Sequence, residues 1–148
     1  MKIFIDGDGC PVIKETIKIA NEYDIECFLV TDTAHTFEKY NIQTITVSKG
    51  ADSVDFALVN MIKNGDIVVT QDYGLAAMCL ARGAKPINQN GLFYTNENIE
   101  SLLFTRYVAK KVRMAGGRIK GPSKREHIDD EIFKKNLRKL LLESKDAI

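Results

Sequence analysis

The sequence predicts a single α/β domain of three layers, a central and mostly parallel sheet of four or five strands with flanking helices. Three observations predict it. Short apolar runs of strand length alternate with stretches of helical periodicity over most of the chain. Two of those runs end abruptly in aspartate, Ile3-Phe4-Ile5-Asp6 and Ile67-Val68-Val69-Thr70-Gln71-Asp72, and in parallel sheets the carboxyl end of a strand is where ligands bind. The 148 residues suit one domain with a real core, and they contain no internal repeat or low-complexity segment.

In chain order, residues 2–6 form the first strand. The glycines in Asp6-Gly7-Asp8-Gly9-Cys10-Pro11 loosen the turn that follows it. Pro11 stands where a helix can begin. Residues 12–23 repeat as a helix with Ile13, Ile17 and Ala20 on one face. Residues 25–31, rich in Ile, Phe, Leu and Val, read as a second strand, and 32–41 as a loop or short helix at the sheet's carboxyl edge. Thr and Ile/Val alternate over 43–48, a third strand. Lys49-Gly50 breaks that pattern before a helix over 53–64 with Val54, Leu58, Met61 and Ile62 inward. Gly65-Asp66 turns the chain into the fourth strand, 67–70. A helix over 73–82 is stopped by Gly83, and 84–87 is a short fifth strand. Thr95 and Asn98 suit the start of a helix running to Met114. The stretch from Gly116 to Lys124 reads as a loop able to order on binding. From Asp129 to about Ser144 an amphipathic helix buries Ile132, Phe133, Leu137, Leu140 and Leu141.

Composition narrows the function. No apolar run is long enough to span a bilayer, and Met1-Lys2 leads directly into a strand with no secretory pattern, so a cytoplasmic protein of bacterial type is expected. Three widely spaced cysteines suggest neither a disulfide framework nor a zinc knuckle. Cys27 and Cys79 read as core. Cys10, near a helix start, reads either as a dipole-stabilised thiolate or, more simply, as a small residue in a tight turn. The net charge of +1 is unevenly spread: residues 101–125 hold eight basic side chains and no acid, whereas residues 1–100 carry a net −6. An acidic body (1–94), a basic helix and loop (95–125) and a C-terminal amphipathic helix (126–148) divide the chain. The basic segment points to an anionic partner, RNA or single-stranded DNA first, with Arg106, Lys110, Lys111, Arg113 and Arg118 on the phosphate backbone. The last helix either packs on the body or serves a homodimer.

At the carboxyl edge the topology gathers Asp6 and Asp8 after the first strand, Asp72 after the fourth, and Asp52 and Asp55 at the start of the helix between the third and fourth. Asp66 precedes its strand and belongs to the opposite edge. Each acid alone reads as a turn former or a helix cap. Together, crowded carboxylates either take up protons or hold a cation, and an all-oxygen set suits Mg²⁺ or Mn²⁺ rather than Zn²⁺. Such an ion activates water against a phosphodiester. His35 falls near the same edge, as a proton shuttle or an idle loop residue, and His127 reads as a surface residue.

Four motifs in order, Asp6-Gly7-Asp8-Gly9-Cys10-Pro11-Val12, Lys49-Gly50-Ala51-Asp52-Ser53-Val54-Asp55, Gly65-Asp66-Ile67-Val68-Val69-Thr70-Gln71-Asp72-Tyr73-Gly74-Leu75-Ala76 and the segment from Arg106 to Gly121-Pro122, resemble the YaiI/YqxD family. This is a group of small bacterial proteins related to PIN-like nuclease domains. The family's first motif reads Asp-Ala-Asp-Ala-Cys-Pro; here Gly7 and Gly9 replace both alanines, which changes flexibility but not charge. The resemblance implies a PIN-like fold and a carboxylate cluster holding Mg²⁺ or Mn²⁺ for RNA cleavage. Asp6, Asp55 and Asp72 would be its main ligands, with Asp8 and Asp52 as outer ligands or water positioners. Asp-x-Asp-Gly after a strand also resembles the haloacid-dehalogenase phosphatases, for which Thr31 or Thr33 and Lys49 would have to serve; that fold also wants a late acidic pair, which this sequence lacks, since Asp72 stands alone. A third reading is a non-catalytic nucleic-acid binder.

Overall fold

The computed structural model describes residues 1–32, 40–48, 50, 53–118 and 124–146. Its strands are β1 (Ile3–Asp6), β2 (Cys27–Asp32), β3 (Gln43–Val47), β4 (Ile67–Val69) and β5 (Lys85–Ile87). All pair in parallel, in the order β3-β2-β1-β4-β5. Helices α1 (Ile13–Glu22), α2 (Ser53–Met61), α3 (Tyr73–Ala81), α4 (Ile99–Met114) and α5 (His127–Asp146) complete the chain. The single α/β domain read from the sequence is therefore the one observed.

Alternation along the strands divides the core in two. Ile3, Ile67 and Val69 pack with Ile19 and Ala20 of α1 and with Phe133, Leu137 and Leu141 of α5. Phe4, Val30 and Val68, one residue out of phase, pack with Leu58 of α2 and with Leu75 and Cys79 of α3. Every strand residue from Ile3 to Asp6 is buried, as expected for a central parallel strand covered on both faces. Pro86 is tolerated because β5 lies at the sheet edge, where a missing N–H breaks no ladder. At the base of the sheet, Asp66 accepts the backbone N–H groups of Lys2 (3.0 Å) and Lys63 (2.9 Å). That acid ties β1 to β4 at the edge away from the site, where the sequence put it.

Three helix faces differ from expectation. In α1 the buried positions are Ile13, Thr16, Ile19 and Ala20, with Ile17 only half-buried. The Thr16 hydroxyl satisfies itself by donating to the Val12 carbonyl one turn back, which lets a polar residue sit inward. In α2 only Leu58 is fully buried, with Ile62 just beyond its end, while Val54 and Met61 are half-buried. In α5 the inward stripe is Phe133, Leu137, Leu140 and Leu141, and Ile132 is exposed. The stripe is spent on α1 and the sheet, so a homodimer through this helix would have to use its outer residues. No helix among the described residues is long and apolar enough to cross a membrane.

Candidate active-site cleft

The chain runs from β1 to β2 to β3 in one direction across the sheet, then returns to β4 on the other side of β1. The strand order therefore reverses between β1 and β4, and the crevice outside the carboxyl ends at such a reversal is where open α/β sheets bind ligands. Here it is a cleft of about 420 Å³, lined by Asp6, Asp8, Thr31, Asp32, Gly50, Ser53, Val54, Asp55, Gln71, Asp72, Tyr73 and Arg106. Four of the acids read from the sequence, Asp6, Asp8, Asp55 and Asp72, share this cleft with Arg106. Asp52 and His35 lie outside the described residues.

Asp6 ends the central strand and is buried. Its Oδ2 accepts a hydrogen bond of 2.8 Å from the Thr70 hydroxyl. Burial raises its pKa to about 6, and the charges of Asp72 and Asp8 push in the same direction against the Thr70 hydrogen bond. Asp72 caps α3: its Oδ1 accepts the N–H groups of Gly74 (2.8 Å) and Leu75 (3.2 Å). The same oxygen meets Arg106 Nη1 at 3.5 Å. A Cβ at Gly74 would stand 3.2 Å from that oxygen, so a side chain there would make the Asp72 carboxylate give by a few tenths of an ångström.

The segment after β4 organises the rest. Thr70 is buried; its hydroxyl both donates to Asp6 and accepts the N–H of Asp72 at 3.0 Å, while its carbonyl accepts the Tyr94 hydroxyl at 3.1 Å. Gln71 Nε2 donates to the Gly9 carbonyl at 2.7 Å. That bond clips the first loop to the fourth strand, with Gly9 at φ +66°, a conformation glycine adopts without penalty. Thr70, Gln71, Tyr73 and Asp32 are not singled out as cleft residues by sequence, and Thr31 is named there only for the phosphatase reading. Asp32 had a visible signal, since the second strand also ends in an acid; it was read as the start of a loop. Thr70 carried none, because a threonine in an apolar run looks like strand filler.

Among the described residues, no three His, Cys, Asp or Glu side chains stand close enough to hold one metal ion as a closed cage. Mg²⁺ does not need such a cage: it keeps several waters and binds through one or two carboxylates and the substrate's phosphate. The hard carboxylate oxygens that line this crevice, those of Asp6, Asp8, Asp32, Asp55 and Asp72, suit that chemistry.

Of the five cationic residues, only Arg106 is among the described residues lining the cleft. Lys110, Lys111 and Arg113 follow it along α4, exposed, and Arg118 lies beyond the helix end, also exposed. Arg125, counted in the basic segment, is committed elsewhere: it donates to Asp130, to Asn90 and to the Gln89 carbonyl at 2.7–2.8 Å, holding α5 to the loop after β5. Cys10 is not a thiolate. Burial pushes its pKa up to about 11, so the simpler reading, a small residue in a turn, is the one that holds. Burial likewise raises Cys27 and Cys79 to about 12.

A family model described as an uncharacterised group, the YaiI/YqxD family, matches residues 4–143. A UPF0178 protein of Exiguobacterium sibiricum is 53% identical over 146 residues, covering 99% of this chain and all of its own. One from Clostridium acetobutylicum is 44% identical, covering 98% and 99%. Among solved structures, Rae1 (YacP) from Bacillus subtilis, a W164L mutant, aligns over the whole of both chains at 15% identity and a TM-score of 0.46, a likeness too slight to carry an argument.

Proposed function

The chain belongs to the YaiI/YqxD family, and from its cleft we propose that it is a Mg²⁺- or Mn²⁺-dependent nuclease that hydrolyses phosphodiesters in RNA or single-stranded DNA. One observation carries the reading. Asp6, Asp8, Asp55 and Asp72 meet Arg106 in a single crevice at the strand-order reversal, and α4 leads cations away from it. The cation would supply charge neutralisation at the phosphate and a more acidic water. Asp6 and Asp72 would be its main protein ligands, with Asp55 on the α2 side, and Asp8 and Asp32 would orient water around it. Thr70 holds one oxygen of Asp6 and the backbone of Asp72 in fixed relation, so the two carboxylates present themselves together. Arg106 pairs with Asp72 and offers the same guanidinium to a phosphate oxygen. Lys110 and Arg113, in the row that begins at Arg106, and Arg118 would hold the flanking backbone, while Lys111 lies over the Tyr107 ring.

The test is cleavage of a labelled single-stranded RNA with Mn²⁺. Asp6→Asn and Asp72→Asn are expected to lose at least about a hundredfold in rate while still binding the RNA. Binding without cleavage under any divalent ion would leave a nucleic-acid-binding protein instead. Turnover of p-nitrophenyl phosphate without polynucleotide cleavage would point to a phosphatase.

A further inference from the structure

Helix α4 leaves four large apolar side chains in solvent. Phe104 is 65% exposed, Tyr107 56%, Val108 40% and Met114 71%. Phe104, Tyr107, Lys111 and Met114 recur at i, i+3, i+7 and i+10, so they form one row along the helix. The cationic row that begins at Arg106 in the cleft runs beside it, because Lys110 stands three residues after Tyr107 and shares its side of the helix. The surrounding charge narrows what can cover the apolar row. Residues 101–125 hold eight basic side chains and no acid, so an anionic occupant fits. Lys111 narrows it further. Its Nζ lies 5.4 Å from the centre of the Tyr107 ring, within the row itself. A dry apolar partner, or the hydrocarbon of a bilayer, would bury that ammonium at a cost. The π-face of a base, with its phosphate close by, would leave the ammonium solvated and attracted.

We propose that this outer row of α4 is a base-stacking surface, on which Phe104 and Tyr107 stack with bases of a strand whose phosphates lie along Arg106, Lys110 and Arg113. The inference rests on the chain binding a nucleic-acid strand, as proposed above, but not on its being cleaved. It narrows the substrate to unpaired strands. A duplex keeps its base faces stacked on one another, whereas every unpaired base offers a face to an aromatic ring. For the same reason the surface tolerates any sequence.

Phe104→Ala, Tyr107→Ala, Tyr107→Leu and Tyr107→Phe test it, all at exposed positions where substitution changes stability little. Binding of a fluorescein-labelled single-stranded RNA, and of the same strand annealed to its complement, is measured by anisotropy in Ca²⁺. Each alanine variant is expected to bind the single strand at least about fivefold more weakly. Tyr107→Leu, which keeps apolar bulk without a flat ring, should lose as much, and Tyr107→Phe should stay within about twofold of the wild type. Duplex binding should change by less than about twofold, and the slope of log affinity against log salt should not move, because no phosphate contact is lost. The proposal is overturned if the alanine variants bind the single strand as the wild type does, if Tyr107→Leu matches Tyr107→Phe, or if duplex binding falls equally. It is also overturned if the wild type binds no single strand. A wild-type dimer that Phe104→Ala dissociates, or binding to phosphatidylserine vesicles that Phe104→Ala abolishes, would overturn it in favour of a second copy or a membrane. Bound RNA that the wild type fails to cleave counts against the nuclease reading alone. Cleavage by a wild type whose aromatic variants bind normally counts against stacking alone.

Discussion

At the scale of single residues, the cleft is held against its own charge. Asp6 is a carboxylate buried at the end of the central strand, with Asp72 and Asp8 nearby, and its pKa of about 6 in the folded chain stands above its ordinary value of 3.8. A raised pKa means that the neutral form stabilises the fold below pH 4, and that this contribution is lost as pH rises through 6. Asp6→Asn removes the titration while keeping an acceptor for the Thr70 hydroxyl. In EDTA at pH 7.5 the asparagine variant is therefore expected to be more stable than the wild type, by roughly 2–3 kcal/mol from the shift alone. The difference should shrink toward zero at pH 4. Saturating Mn²⁺ should reverse the order, because only the wild type gains binding energy from the ion. Denaturant melts at the two pH values, with and without Mn²⁺, check all three statements; a variant no more stable than wild type at pH 7.5 would mean that Asp6 is not under electrostatic stress.

At the scale of elements, α4 departs most from an ordinary packed helix. Only Ile99 of its sixteen residues is fully buried, and its Thr95–Asn98 entry is fixed by reciprocal bonds of 2.8 and 3.2 Å. Beyond the first two turns it carries two separate stripes. Arg106, Lys110 and Arg113 recur at i, i+4 and i+7, a single row beginning at the cleft. Phe104, Tyr107, Val108, Lys111 and Met114 form another row, with Lys111 Nζ lying 5.4 Å from the centre of the Tyr107 ring. The cations are thus not equivalent, although in sequence Lys110 and Lys111 look interchangeable. Lys110→Ala and Arg113→Ala are each expected to weaken binding of single-stranded RNA and to lower the slope of log affinity against log salt by about 0.7. Lys111→Ala should change that slope much less. Salt titrations from 50 to 200 mM, ranges over which phosphate contacts dominate the change, decide it; equal slopes for all three variants would remove the proposed track.

At the scale of the whole molecule, what the sequence disclosed and what it hid have one cause. Local pattern revealed the strands, because a buried parallel strand is an unbroken apolar run and its terminating acid stands out, as at Asp6 and Asp72. The same alternation implied a parallel sheet and hence which edge holds the acids, while the strand-order reversal between β1 and β4 became visible only in the fold. Contacts between distant segments left no local trace. Thr70 bonding to Asp6 across 64 positions, Gln71 bonding to Gly9, and Arg125 reaching Gln89 and Asn90 each look like unremarkable surface or strand residues until the chain folds. The largest such closure joins the two ends. Phe133, Leu137 and Leu141 of α5 are fully buried against α1 and the sheet, and Arg138 meets Glu22 at 3.1 Å on the rim of that contact. Were α5 an arm for self-association, its apolar stripe would become buried only in a dimer, and stability would rise with protein concentration. Packed on its own body, it should melt with it. Leu137→Ala is then expected to cost about 2–5 kcal/mol, the range for a leucine truncated in a well-packed core, in one transition whose midpoint does not move over a hundredfold range of protein concentration. Glu22→Gln, which breaks only the exposed ion pair, should shift that midpoint far less. A second, earlier transition in Leu137→Ala, or a midpoint that climbs with concentration, would show that the last helix is not part of the cooperative domain.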